Sequence, residues 1–148
     1  MKTYNTPTKL QLFSLSIVFC FSFFAGIIFA AEETATERTM KKLLEYKEKG
    51  YVNVRGERRG FIEEKGSLKQ RIKLFKKQDY LAVVSGDEDI SEIKMIIKDK
   101  KGKKILKEST SKGSTAEILF TPSKKAKYQF FIEVPGKGGY YHFSIATK

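Results

Sequence analysis

In two runs between residues 67 and 84 the alternate positions are apolar except for Gln70, and a polar turn separates the runs. Because successive side chains of a β-strand point to opposite faces, this alternation predicts two strands with one buried face each. That face consists of Leu68, Gln70, Ile72 and Leu74 in the first run, and of Tyr80, Ala82 and Val84 in the second. The same rhythm recurs as far as the C-terminus, so we expect a domain built from sheets.

Further segments predict more strands. DKKG at residues 99–102 and PGKGG at 135–139 predict tight connections, whereas GERRG at 56–60 predicts a charged turn and 109–115 a polar loop. About eight strands at regular spacing predict an all-β fold, a jelly-roll-like antiparallel β-sandwich. We expect Tyr80, Ile93, Phe130 and Phe143 to be buried. The inward positions of the later strands are Ile93, Met95 and Ile97; Ile118 and Phe120; Tyr128, Phe130, Ile132 and Val134; Tyr141, Phe143 and Ile145.

One N-terminal helix is predicted over residues 32–50. Thr34 can cap it, and Glu37, three residues later, can complete a capping box. Gly50 stands where a left-handed residue would end the helix. The apolar stripe at helical spacing consists of Met40, Leu43 and Leu44. Packing on the edge of the domain is the favoured interpretation of this stripe, and docking on a partner is the alternative.

The N-terminal residues 1–31 have the pattern of a secretory signal peptide. Lys2 and Lys9 precede an uncharged apolar run at residues 10–30, and Ala30 and Ala31 offer small residues for cleavage. An uncleaved membrane anchor is the alternative, because about 20 apolar residues span a bilayer. We therefore expect an exported protein of the periplasm, cell envelope or exterior, with a helix at 32–50 and a β-sandwich at 51–148.

The predicted mature chain is basic. The sequence has 29 basic and 17 acidic residues, and two of the basic ones precede Ala31, which leaves 27 − 17 = +10. This charge favours an anionic glycan or lipid surface as partner, and export argues against nucleic acid. The candidate residues for an anionic surface lie in and beside one hairpin: Lys98, Lys100, Lys101, Lys103 and Lys104. Solubility, or protection of a strand edge, is the alternative role for these lysines.

The sequence offers little for catalysis. Cys20, the only cysteine, lies within the predicted signal, and His142 is the only histidine. Catalytic triads and zinc sites need more such groups, and no nucleophile elbow, phosphate loop or dinucleotide motif occurs. Tyr140 and Tyr141 can stack on a sugar, but alternation places Tyr141 in the core. We therefore expect a protein that is not an enzyme and has no cofactor, with calcium the one possible exception.

The candidate calcium ligands are the clustered acids Asp87, Glu88, Asp89 and Glu92. Calcium takes six to eight oxygen ligands, which clustered carboxylates supply. The spacing does not follow the EF-hand pattern, and Lys94 lies close in the sequence. A solvated acidic turn is the alternative.

The order of the short motifs is distinctive. It runs from Gly66-Ser67-Leu68 with Gln70, through residues 78–87 and 99–103, to Phe120-Thr121-Pro122 and Tyr128. In this order the motifs resemble bacterial pre-peptidase C-terminal-like domains, which are exported jelly-roll modules related in fold to galactose-binding-like sandwiches. In some members of that family, acidic residues in this region bind calcium. The resemblance therefore points to the same acidic region here. Where that family often has an Asp-Leu-Asp-Leu strand, this sequence has Glu92-Ile93-Lys94-Met95. Asp79 stands where the family usually has a glycine before the tyrosine.

These observations predict an exported, non-catalytic β-sandwich module that binds an extracytoplasmic partner. The partner would be a protein, an anionic glycan or a lipid surface. Apart from binding to such a surface, the chain would contact a membrane only through an uncleaved signal segment. The alternative is a structural or assembly component of the cell envelope that docks through its N-terminal helix.

Overall fold

The computed structural model describes residues 33–148, except for the side chain of Lys112. Its elements are α1 (Ala35–Lys47), β1 (Asn53–Ile62), β2 (Ser67–Leu74), β3 (Tyr80–Gly86), β4 (Glu92–Lys98), β5 (Ile105–Lys112), β6 (Thr115–Phe120), β7 (Ala126–Glu133) and β8 (Gly139–Thr147). The predicted signal segment, residues 1–31, lies outside the described residues. Within residues 33–148, no helix has the length and apolar character needed to cross a bilayer.

The strands form two antiparallel sheets of four strands each. The first sheet has the order β1-β8-β3-β6, and the second has the order β2-β7-β4-β5. The predicted jelly-roll-like β-sandwich with about eight strands and one N-terminal helix is therefore confirmed.

The core lies between the two sheets and consists of the alternating positions. Tyr80, Ile93, Phe130 and Phe143 are all at most 2% exposed, as predicted. Phe130 of the second sheet contacts Phe143 of the first, with 5.7 Å between the ring centroids. Full burial of each such side chain contributes about 1.5–3 kcal/mol.

Helix α1 begins with the predicted capping box. The backbone N–H of Glu37 donates to the Thr34 hydroxyl at 3.2 Å, and the backbone N–H of Thr34 donates to the Glu37 carboxylate at 2.7 Å. Gly50, with φ +92°, follows the end of the helix as expected. The predicted apolar stripe is only partly buried, because Leu43 packs inward while Met40 and Leu44 are exposed.

Helix α1 covers the outer face of the first sheet. The apolar residues buried between the helix and this face are Leu43, Tyr46, Leu81, Val83 and Ala146. Among the described residues, no helix packs on the outer face of the second sheet. The two outer faces therefore have different surroundings, one under a helix and one open.

Two segments predicted as turn or loop are strands. Residues 56–60 continue β1 across an irregularity between Val54 and Glu57, where Gly56 has φ +78°. Residues 109–112 continue β5, so the connection to β6 is only residues 113–114. Both segments lie on edge strands with little or no apolar alternation, and hydrogen bonds to β8 and β4 hold them extended.

Candidate anion-binding surface

Charged side chains divide between the two ends of the sandwich. Connections 75–79, 99–104 and 121–125, which we call the basic end, carry eight lysines and two aspartates, a balance of 8 − 2 = +6. Connections 63–66, 87–91, 113–114 and 134–138, the acidic end, carry two lysines and five acids, a balance of 2 − 5 = −3. The division follows from topology, because successive connections in an antiparallel sandwich lie at opposite ends.

Hydrogen bonds hold the connections of the basic end in place. The backbone N–H of Lys77 donates to the Pro122 carbonyl at 3.1 Å, and the Thr121 hydroxyl donates to the Asp79 carboxylate. Within the hairpin, the Asp99 carboxylate accepts the backbone N–H groups of residues 103 and 104 at 2.9 and 3.1 Å. Both aspartates therefore stabilise the connections that present the lysines.

Groups from two connections of the basic end lower the pKa of Asp99. The backbone N–H of Lys104, followed by those of Lys103 and Gly102, lowers the pKa of this carboxyl group below its ordinary value. The positive charge of Lys124, from a different connection, lowers the pKa further. Lys124, in connection 121–125, therefore lies close enough to the hairpin to influence Asp99 electrostatically.

The predicted lysines occupy two settings. Lys98 ends β4 beside Phe131, whereas the others lie in the exposed hairpin: Lys100, Lys101, Lys103 and Lys104. The hairpin packs back on the sheet, because the side-chain amide of Gln129 donates to the Lys100 carbonyl at 3.0 Å. Gly102, with φ +73°, permits this approach, since a Cβ there would lie 2.9 Å from Gln129 Oε1.

Two phenylalanine rings, each flanked by two lysines, extend the basic surface over the second sheet. The ammonium groups of Lys69 and Lys98 lie 5.8 and 4.2 Å from the centre of the Phe131 ring. Those of Lys73 and Lys125 lie 6.0 and 5.2 Å from the centre of the Phe75 ring. Lysine stems cover apolar surface in this way while their charges stay in water.

The outward row of β2 was not identified from the sequence as part of this surface. Lys69, Arg71 and Lys73 occupy alternate exposed positions of this strand. Lys73 stands directly opposite Lys127 of β7, and like charges in that arrangement destabilise a sheet. The alternating basic residues are visible in the sequence KQRIK at residues 69–73. Only the strand register, however, places this row beside Lys127.

The predicted calcium ligands lie at or beside the acidic end. The Asp87 carboxylate accepts the backbone N–H groups of Asp89 and Tyr140 at 3.2 and 2.7 Å. Asp89 pairs with Lys137, and this hydrogen bond raises the pKa of the lysine. Glu88 is exposed, and Glu92 begins β4. Across residues 33–148, no three carboxylate, histidine or cysteine side chains are grouped so that they could hold a metal ion. Calcium binding stays a prediction.

His142 is fully buried on the outer face of the first sheet, under helix α1. Its backbone carbonyl accepts the hydroxyl of Thr39 at 3.1 Å. Burial lowers the pKa of the imidazole, and the positive charge of Arg59 lowers it further.

Comparison with known proteins identifies the fold. No family model and no curated protein matches the chain. The pre-peptidase C-terminal domain of collagenase from Bacillus anthracis has a TM-score of 0.51 and 13% identity, over 64% of this chain and 90% of that domain. Aeromonas hydrophila PliG, a periplasmic inhibitor of g-type lysozyme, has a TM-score of 0.50 and 8% identity, over 68% and 90%. The resemblance to pre-peptidase C-terminal domains is confirmed for the fold.

Proposed function

We propose that this protein is an exported, non-catalytic binding module whose basic end binds an anionic extracytoplasmic surface. The observation that carries the proposal is the convergence of eight lysines from three connections at one end of the sandwich. Such a concentration of one sign of charge attracts anions over long range. Export rests on the apolar segment at residues 10–30, and the shared fold with a periplasmic inhibitor supports it.

Crowding of like charges supports a binding role for this end. Lys73 and Lys127 are cross-strand neighbours, and Lys125 reaches the same Phe75 ring as Lys73. This arrangement costs stability in the free protein, and an anionic partner would relieve the repulsion. The partner of suitable chemistry is a dense array of negative charge, as in an anionic polysaccharide or a layer of lipid headgroups.

Binding of the full chain to two polyanions tests this proposal. The probes are dextran sulphate and phosphatidylglycerol vesicles, with neutral dextran and phosphatidylcholine vesicles as controls. We expect binding at about 50 mM salt that weakens strongly at about 300 mM, because salt screens exposed charges. The probe that binds more tightly distinguishes a glycan from a lipid surface, and binding to neither would refute the proposal.

A pair of charge-matched variants locates the site. One variant replaces Lys100, Lys101 and Lys103 by glutamine, and the control makes the same change at Lys41, Lys47 and Lys65, which are also exposed but lie elsewhere. We expect the first variant to lose about tenfold in affinity and the control to lose less than about twofold. Equal losses would show that total charge, rather than the basic end, controls binding.

A second candidate role is assembly in the cell envelope through helix α1. Met40 and Leu44, which are 42% and 60% exposed, line an apolar groove with Val52 and Val54. A contiguous exposed apolar patch of this kind marks interaction sites. Sedimentation with isolated envelopes at high salt tests this role, because an apolar contact survives screening. Loss of sedimentation in Leu44→Lys, with dextran sulphate binding intact, would favour assembly.

A further inference from the structure

A cleft at the acidic end of the first sheet takes no part in the proposed function. Its volume is about 420 Å³, within the range of about 300–1,000 Å³ typical of small-molecule sites. It lies between the start of α1, strand β1, the β3–β4 connection and β8. The lining residues that matter here are Thr36, Arg59, Asp87, Tyr140 and Tyr141.

Tyr140, which lines the cleft, forms an exposed aromatic pair with Phe61. Tyr140 and Phe61 are 66% and 58% exposed, and they are directly opposite each other in β8 and β1. Their ring centroids lie 5.3 Å apart in an edge-to-face arrangement. Exposure of two large rings at one place is unfavourable in water, which points to a surface that is covered in use.

Asp87 holds the backbone of Tyr140 in place. The backbone N–H of Tyr140 donates to the Asp87 carboxylate at 2.7 Å, and the backbone N–H of Asp87 donates to the Tyr140 carbonyl at 2.9 Å. Tyr140 therefore projects from a backbone that is hydrogen-bonded on both its donor and its acceptor. A rigid platform binds at a lower entropic cost than a mobile one.

Polar side chains line the same cleft as Tyr140. The carboxylate of Asp87, the hydroxyls of Thr36 and Tyr141 and the guanidinium of Arg59 all belong to residues that line the cleft. Gly60 leaves room for the Tyr141 ring, since a Cβ there would lie 3.1 Å from Tyr141 Cε1. These groups are able to donate and accept hydrogen bonds in the cleft that Tyr140 lines.

We infer that this cleft binds a neutral oligosaccharide, with one sugar ring stacked on Tyr140. The C–H face of a sugar matches the aromatic ring, and its hydroxyls match the mixed donors and acceptors at the edge. Glu33, Asp87 and Glu88 bring three carboxylates to the lining and Arg59 brings one guanidinium, while the cations that pair with Glu33, Arg38 and Lys41, are not lining residues. This excess of negative charge disfavours an acidic sugar, so the ligand differs in class from the polyanion proposed for the basic end.

Saturation-transfer NMR on the full chain tests the inference, because it detects the sugar directly. The probes are cellotetraose, chitotetraose and β-1,4-galactotetraose, and a neutral pentapeptide is the competing class of ligand. We expect at least one tetrasaccharide to bind the wild type. Tyr140→Ala should weaken that binding about tenfold, whereas Tyr140→Phe, which keeps the ring, should retain it.

Leu119→Ala is the matched control, since Leu119 is exposed on β6 and lies outside the cleft. It should bind the sugar as the wild type does, and thermal unfolding should confirm that all variants fold. Three results would overturn the inference: no tetrasaccharide binds, Tyr140→Ala binds as well as the wild type, or the pentapeptide binds more tightly than every sugar. Dextran sulphate binding, measured on the same samples, reports separately on the basic end.

Discussion

Replacement of Phe130 by alanine tests the assignment of the core most directly. Phe130 lies on β7, an inner strand of the second sheet, and none of its surface is exposed. Its ring contacts Phe143 of the opposite sheet, and its strand neighbours are Gln70 and Ile97. The substitution therefore opens a cavity at the place where the two sheets meet.

The expected loss in the free energy of unfolding depends on the burial of Phe130 and on how far the surrounding structure can close the cavity. Phe→Ala in a core costs about 3–5 kcal/mol, which includes a cavity contribution. Because β7 is hydrogen-bonded to β2 and β4 on both sides, the backbone has little freedom to close the cavity. We therefore expect about 4–5 kcal/mol. The 116 residues described predict a total stability of about 6–17 kcal/mol, so this single change removes at least about a quarter of it.

Urea unfolding followed by circular dichroism measures this cost, and the neighbouring residue provides the control. Phe131 has the same side chain but points to the outer face, half-buried beside Lys69 and Lys98. We expect Phe131→Ala to cost about 1 kcal/mol, the scale of an exposed cation–π contact. A loss below about 1 kcal/mol for Phe130→Ala, or equal losses for the two variants, would show that the assigned phase of β7 is wrong.

Three further predictions concern stability. Thr34→Ala should cost about 1 kcal/mol in urea unfolding, because the Glu37 N–H loses its cap, while Thr34→Ser should cost little. Stability should fall as the pH drops below about 6.5, because burial lowers the pKa of His142 in the folded state and the unfolded chain takes up the proton first. His142→Gln should show a flatter profile between about pH 7 and pH 5, and equal slopes would refute this assignment. Lys101→Ala should shift stability by less than about 0.5 kcal/mol in thermal unfolding, since its side chain is exposed.

Strands that bury one face were predictable because their pattern does not depend on the partner strand. In β7, Tyr128, Phe130 and Ile132 are all buried, as the two-residue alternation required. The capping box was predictable for a similar reason, since Thr34 and Glu37 satisfy each other within one helical turn. Such signals are local, and the sequence contains them completely.

Edge strands and covered faces were not predictable in this way. Residues 56–60 are polar and charged on both faces, so only pairing with β8 shows that they are extended. Alternation correctly directed Tyr141 inward, whereas the next residue, His142, lies on the outer face of the sheet and is nevertheless buried there under α1. The sequence identifies the face of a strand, whereas packing decides whether that face meets solvent.

The strand phases, the capped helix and the excess of lysine follow from local patterns along the chain. The tertiary structure alone decided that three lysine-bearing connections share one end, that Phe75 and Phe131 lie among those lysines, and that Tyr140 pairs with Phe61. The physical reason is the range of the interactions. Alternation and capping involve neighbours along the chain, but both candidate surfaces are assembled by pairing between strands far apart in sequence.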